Sequence, residues 1–221
     1  MARNRSVVGW VFYDFAAVVF AMNVAGLYFP LWVVEDAGGR DAHVAIALSA
    51  AMAIVLIAAP LLGSFADRSG RRVLMLGYST VACALCTLLL GHGGLIVALI
   101  VFAVANALNG CGLVFYDALL PIVSTDANRG RISGYGIGAG FGGAILGVLV
   151  GAVILAGDSE AKPLVFKVTA VLFLVGALPC LLWVREPAKR GTPGRTSLKW
   201  PKISAAGESF LSAGPNVSVL L

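Results

Sequence analysis

The chain is 221 residues long, 59% hydrophobic and only 12% charged, with a net charge of +5 and a mean hydropathy of +0.93. Soluble domains run about 45–50% apolar and roughly 25% charged, so this composition excludes an ordinary water-soluble globule and makes lipid the solvent for much of the surface. The basic residues form no patch with interleaved aromatics, which excludes nucleic acid as a partner.

Six apolar runs follow one another, at 7–34, 44–65, 73–90, 95–123, 132–156 and 163–184. Each is long enough for a membrane helix, which needs about 17–25 residues. The predicted fold is therefore all-α and polytopic, with one six-helix transmembrane domain over residues 1–186 and the bilayer as its partner. The start MARNR followed by apolar residues imitates a signal peptide, but the run is too long, contains Asp14 and is followed by five more.

The breaks between runs carry nearly all the charge, and the basic residues gather in alternate breaks. Arg3 and Arg5, then Arg68, Arg71 and Arg72, then Arg129 and Arg131, then the basic residues after 184 fall on one side, thirteen of sixteen in all. The positive-inside rule assigns that side, with both termini, to the cytoplasm. The bland role of each of these arginines is orientation.

The first run opens with VFYD at 11–14, and the same four residues recur at 114–117 near the end of the fourth run. The first run leads outward and the fourth inward, so both acids land at similar depth near the basic side. A carboxylate at the bilayer centre costs roughly 2.5–3.5 kcal/mol on insertion scales, and an intramembrane acid is a functional candidate. Asp14 shares a face with Ala17, Ala21, Ala25 and Tyr28, whereas Asn23 falls on the opposite one. In the fourth run Asn106, Asn109 and Asp117 share an arc of roughly 80° at about 100° per residue, a polar stripe suited to a bundle interior or a water-filled cavity. Two readings of the acids stand side by side. In one, Asp14 and Asp117 with the hydroxyls of Tyr13 and Tyr116 line a proton- or substrate-responsive cavity. In the other, each acid caps a helix or pairs with a loop arginine.

After the second run stands GSFADRSGRRVL, at 63–74. Gly63 permits close helix approach, and Gly70 permits a turn with positive φ. Asp67 can cap a helix or pair with an arginine, while Arg68, Arg71 and Arg72 anchor the loop. A basic turn accounts for the arginines but not for the ordered G-x-x-x-D-R-x-G-R-R. A second loop, DANRGRISG at 126–134, carries Asp126, Arg129 and Arg131.

The fifth run has two glycine series, Gly134, Gly138 and Gly142, and Gly143, Gly147 and Gly151, whose spacing lets backbones touch. In the sixth, Lys167 is expected to snorkel outward. Residues 187–221 are rich in Gly, Pro, Ser and Lys and show no spanning or amphipathic period, so a mostly disordered cytoplasmic tail is predicted. Cys83, Cys86, Cys111 and Cys180 lie within apolar runs as small packing residues, CALC lacks a second ligand pair, and no metal or other cofactor is expected. His43 and His92 fall in outer breaks. No HExxH, GxSxG, or Ser-His or Cys-His arrangement suggests an enzyme, and no GxxxxGK[ST] loop suggests an ATP-driven pump.

The string GSFADRSGRRVL closely resembles the loop between helices 2 and 3 of the major facilitator superfamily of secondary transporters, and DANRGRISG resembles the loop between its helices 4 and 5. FYDFAAVVFAMN and VFYDALLPIV followed by RGRISG further resemble the branch containing the fungal vacuolar amino-acid effluxer linked to autophagy and its bacterial relatives. The resemblance implies two six-helix halves, each of 3+3 inverted repeats, rocking around a midplane site. It implies a cytoplasmic latch at Asp67 and Arg68 that meets a helix end of the other half, and efflux of amino acids or related metabolites. The sequence supplies six spans where that family has twelve, so this chain is expected to act as an amino-terminal half beside a second half or as a homodimer. The alternative is a truncated product without transport activity. Arginine outnumbers lysine eleven to five, a bias of GC-rich bacterial genomes, which makes a bacterial inner membrane the expected location and an organelle membrane the alternative.

Overall fold

A computed structural model describes residues 2–186, and the polar segment 187–221 lies outside them. All the regular structure of the described residues is helical, and six helical spans are long and apolar enough to cross a membrane. They are span 1 (Asn4–Glu35), span 2 (Asp41–Ser69), span 3 (Arg72–Leu89), span 4 (Leu95–Val123), span 5 (Arg129–Gly157) and span 6 (Lys162–Trp183). Spans 1, 2 and 5 outrun their apolar stretches by a few residues because the helices continue into their polar flanks.

Two spans are interrupted, and prolines explain where. Span 1 is α-helical over Ala2–Phe20, π-helical over Ala21–Tyr28 and α-helical again over Phe29–Glu35. Pro30 has no N–H for the carbonyl one turn back, and the wider π coil precedes it. Span 4 is α-helical over Leu95–Asp117, turns at Ala118 and Leu119, and resumes over Leu120–Val123, where Pro121 cannot donate to the Asp117 carbonyl. Between spans 2 and 3, Gly70 takes φ +63°, and its N–H donates to the Ala66 carbonyl at 2.9 Å. This is the left-handed stop that glycine provides without steric cost.

The spans pack as an arc. Span 2 touches span 4, span 4 touches span 3, span 3 touches span 6, span 6 touches span 1, and span 1 touches span 5. Adding three to a span number maps these contacts onto one another. The pair 1·5 becomes 4·2, 1·6 becomes 4·3, and 3·6 maps onto itself, which is the signature of two three-helix repeats in inverted orientation. The ends of the arc are spans 2 and 5.

The core runs between spans 1, 4 and 6 as stacked rings. Phe29 lies flat on Phe102 with centroids 4.2 Å apart, and Phe20 stacks on Phe173 at 5.5 Å. Backbones approach closely where side chains are absent. A Cβ on Gly9 would sit 2.6 Å from the Pro179 carbonyl oxygen, and one on Gly176 would sit 2.6 Å from Ala16 Cβ. At the far end of the same pair of helices, buried Lys162 bridges Glu35 at 2.9 Å and Asp36 at 3.0 Å. Span 6 is thereby fastened to span 1 at both ends, since Ser6 donates to the Trp183 carbonyl at 2.8 Å.

Candidate functional site

The two VFYD segments meet in space. Tyr13 and Tyr116 stack with ring centroids 5.1 Å apart, and Tyr116 also stacks on Trp10 at 4.5 Å and 9°. The Trp10 indole N–H donates to the Tyr116 carbonyl at 3.2 Å. The Tyr13 hydroxyl pairs with Thr80 of span 3 at 3.0 Å, whereas the buried Tyr116 hydroxyl has no hydrogen-bond partner among the described residues. Identical local sequences thus have different environments, set by which neighbour each ring faces.

The two acids follow their tyrosines to one place. Asp14, half-buried, lies against span 5, where a Cβ on Gly140 would stand 3.2 Å from its Oδ2. One turn earlier, a Cβ on Gly136 would stand 3.4 Å from the Tyr116 hydroxyl. Asp117 is exposed and within electrostatic reach of Asp14. Neither acid makes an ion pair or hydrogen bond among the described residues. The reading in which they cap helices or pair with loop arginines is therefore not the arrangement found. The loop arginines have nearer partners: Arg72 donates to Asp67 at 2.7 Å, and Arg129 to Asp126 at 2.7 Å. Arg68 and Arg131 are exposed.

The polar stripe of span 4 divides. Asn106 is 4% exposed and turns back on its own helix, donating to the Phe102 carbonyl at 2.9 Å. Asn109 is half-buried with an unpartnered Oδ1, and only Asp117 opens to the outside. The stripe, expected in the bundle interior or along a water-filled cavity, is thus sealed inside at Asn106 and exposed at Asp117. The broken end of the helix and its burial against spans 2 and 3 separate these side chains.

The glycines of span 5 divide as well. Gly143, Gly147 and Gly151 carry span 1, and a Cβ on Gly143 would overlap the Phe15 carbonyl oxygen. Gly142 has only ordinary contact with the Phe15 ring, while Gly134 and Gly138 have no described atom within reach of a Cβ. Gly63, expected to let helices close on one another, likewise faces open space. Within this chain these three glycines are not packing positions.

Several residues of the site escaped the sequence reading. Asn23 is fully buried, donates to Thr169 of span 6 at 2.8 Å, and sets its unpartnered Oδ1 over Gly147. Five residues on, Tyr28 covers Gly151 and donates to the Val148 carbonyl at 2.7 Å. Five residues of span 1 thus match four of span 5, a step the π coil supplies. Glu186, just past span 6, accepts the Val73 N–H at 2.6 Å and so caps span 3. The REP string at 185–187 was the available signal for that role.

Comparison with known proteins agrees with this architecture. Residues 14–218 match the model of the Major Facilitator Superfamily. The chain is 31% identical over 190 residues to the multidrug resistance protein MdtG of Enterobacter lignolyticus (strain SCF1), covering 83% of this chain and 44% of that protein. It is 26% identical over 199 residues to a protein called uncharacterized MFS-type transporter YxiO of Bacillus subtilis (strain 168), covering 80% and 46%. It is also 29% identical over 215 residues to MdtG of Rahnella sp. (strain Y9602), covering 91% and 50%. The chain spans about half the length of the curated relatives it matches. With six membrane-length helices in an inverted-repeat arc and this match over most of its length, the chain belongs to the Major Facilitator Superfamily and is a multi-pass membrane protein.

Proposed function

We propose that the chain is the amino-terminal half of a secondary transporter that moves a small organic solute by alternating access. In this reading the loops at 63–74 and 126–134 and both termini face the cytoplasm of a bacterial cell, and the protein sits in the inner membrane. The observation that carries it is the convergence of Asp14 and Asp117, two intramembrane acids without arginine partners among the described residues, beside the Tyr13–Tyr116 stack. A neutral residue would pack there as well, so retaining two charges is best explained by a cavity that needs them.

The second half docks on the ends of the arc. Spans 2 and 5 each pack mainly on one other span, and Gly63, Gly134 and Gly138 have open space where a Cβ would stand. Such faces suit close helix contact in lipid, and the latch at Asp67 and Arg68 would close against the same partner. The cargo class expected from the VFYD strings is an amino acid or related metabolite, as in the vacuolar-effluxer-like branch. The relatives named for multidrug resistance favour a second reading, efflux of toxic organic compounds.

Proteoliposomes decide between these readings. The chain reconstituted with its second half is expected to move labelled amino acids or a cationic dye when a proton gradient is imposed to drive it, and Asp14→Asn with Asp117→Asn to abolish that flux. Unchanged flux in the double variant would remove the acids from the transport site. No flux of any solute with both halves present would favour the non-transporting reading.

A further inference from the structure

Asp14 and Tyr116 set two oxygens over a small gap on the face of span 5. A Cβ on Gly140 would stand 3.2 Å from Asp14 Oδ2, and one on Gly136 would stand 3.4 Å from the Tyr116 hydroxyl. The two glycines are one turn apart, about 6 Å along the helix, so both oxygens look onto one stretch of bare backbone. The charge of Asp14 reaches that hydroxyl, and the charge of Asp117 reaches Asp14. Neither acid has a basic partner among the described residues. Tyr116 is 3% exposed, and its hydroxyl has no hydrogen-bond partner among them either.

The walls of the gap bound what it can take. The Trp10 ring would stand 2.8 Å from a Cβ on Gly136, Val18 would stand 3.1 Å from one on Gly140, and a Cβ on Gly143 would overlap the Phe15 carbonyl. Spans 1 and 5 therefore close on each other to either side of the two oxygens. An organic solute does not fit between backbones this close, whereas a single ion or water does. Charge then selects among the small occupants. A proton would neutralise the carboxylate and leave the buried phenol oxygen without a partner. Water would serve the phenol and leave the acids without a countercharge at membrane depth. A hard metal cation serves both, because it takes carboxylate and neutral oxygens alike. One carboxylate stands at the gap and Asp117 opens outward, so a single positive charge is the match.

We propose that Asp14 Oδ2 and the Tyr116 hydroxyl hold a sodium ion against Gly140 of span 5, with Asp117 adding charge at longer range. The proposal rests on the reading of these acids as part of the transport site, where sodium and the driving proton would compete for one carboxylate. Gly140 is the residue that makes the site possible, since any side chain there would occupy the place of the ion.

The test uses the purified full chain in detergent, with radiolabelled sodium as the probe and choline chloride holding the ionic strength constant. Saturable binding is expected, displaced by unlabelled sodium and not by methylammonium or choline. Asp14→Asn is expected to raise the half-saturating concentration about tenfold or more, the weight of one contact to an ionised group. Gly140→Ala keeps both acids and the hydroxyl but puts a methyl group in the gap, and it is expected to do the same. Gly138→Ala, which meets open space, is expected to leave binding unchanged. Absence of saturable sodium binding by the parent chain overturns the proposal, and that measurement needs no variant to fold. Displacement by methylammonium overturns it in favour of an amine, and binding that survives Gly140→Ala overturns it by placing the ion elsewhere. Reconstitution with the second half keeps the two readings apart. Solute flux without sodium binding removes this site and leaves the transport reading, whereas sodium binding by a pair that moves no solute does the reverse.

Discussion

Tyr13 and Tyr116, one hundred and three residues apart and set in identical VFYD strings, stack on each other with ring centroids 5.1 Å apart. Through that contact the first part of span 1 and the last part of span 4 become one unit, with Trp10 extending the stack and the two aspartates beside it. The pair ties the three-helix repeats together, since span 1 belongs to one and span 4 to the other.

The stack and the unpartnered hydroxyl can be separated experimentally. Tyr116→Phe keeps both ring contacts and removes a buried hydroxyl that has no partner among the described residues, so thermal unfolding in detergent is expected at or above the parent temperature. Tyr116→Ala deletes the ring and leaves a cavity beside Trp10 and Tyr13, an expected loss of about 3 kcal/mol. Equal destabilisation by both substitutions would mean that the hydroxyl is bonded in the membrane.

Glycines of one helix are expected to behave oppositely. Gly143→Ala would drive a methyl group into the Phe15 carbonyl, so spans 1 and 5 must separate, at about 1–3 kcal/mol. Gly138→Ala meets nothing in this chain and raises helix propensity, an expected gain of about 0.5–1 kcal/mol in the isolated chain. If a second half docks on that face, the same Gly138→Ala weakens its association, read by co-purification, while leaving the fold intact.

Buried Lys162 holds Glu35 and Asp36 together at the joint of spans 1 and 6. Lys162→Met leaves two carboxylates side by side with no cation. Both are partly exposed to solvent, which lowers the cost below that of a fully buried pair, to about 1–3 kcal/mol. Unfolding measured with and without 1 M salt (about 3 Å Debye length) checks the origin. Salt should restore part of the loss if repulsion between Glu35 and Asp36 causes it, and none if lost packing of the lysine stem does.

Accessibility should split the polar stripe of span 4. In a background without native cysteines, Asp117→Cys is expected to react with a water-soluble thiol reagent, and Asn106→Cys, sealed at 4% exposure, to resist it. Equal reaction at both positions would mean that both line a water-filled cavity and require a conformation in which span 4 is unsealed.

Asp14→Asn and Asp117→Asn probe the acids without disturbing a described bond, because neither carboxylate has a hydrogen-bond or ion-pair partner among the described residues. Both variants are expected to fold with unchanged or slightly higher stability, removing the cost of a charge at membrane depth. A loss of about 2 kcal/mol or more in unfolding, the scale of a charged hydrogen bond, would reveal a structural partner in the membrane.

The sequence by itself determined the number of spans, because apolar length is a local property that lipid thickness reads directly. It also determined which breaks carry basic charge and where the left-handed glycine of the 63–74 loop stands, because a turn's φ depends on a single residue. Contacts between spans were another matter. A membrane helix is apolar on nearly every side, so no hydrophobic stripe says which face turns inward. That Gly143, Gly147 and Gly151 pack while Gly134 and Gly138 lie bare, that Asn106 is sealed while Asp117 is open, and that Arg72 and Arg129 prefer loop acids to Asp14 and Asp117 follow from helix rotation and reach. The π coil of span 1 shifts the register between Asn23 and Tyr28, so positions beyond it cannot be projected at 100° per residue. The meeting of the two VFYD strings was decided in three dimensions, where the arc sets span 1 and span 4 at one depth with their aromatic faces together.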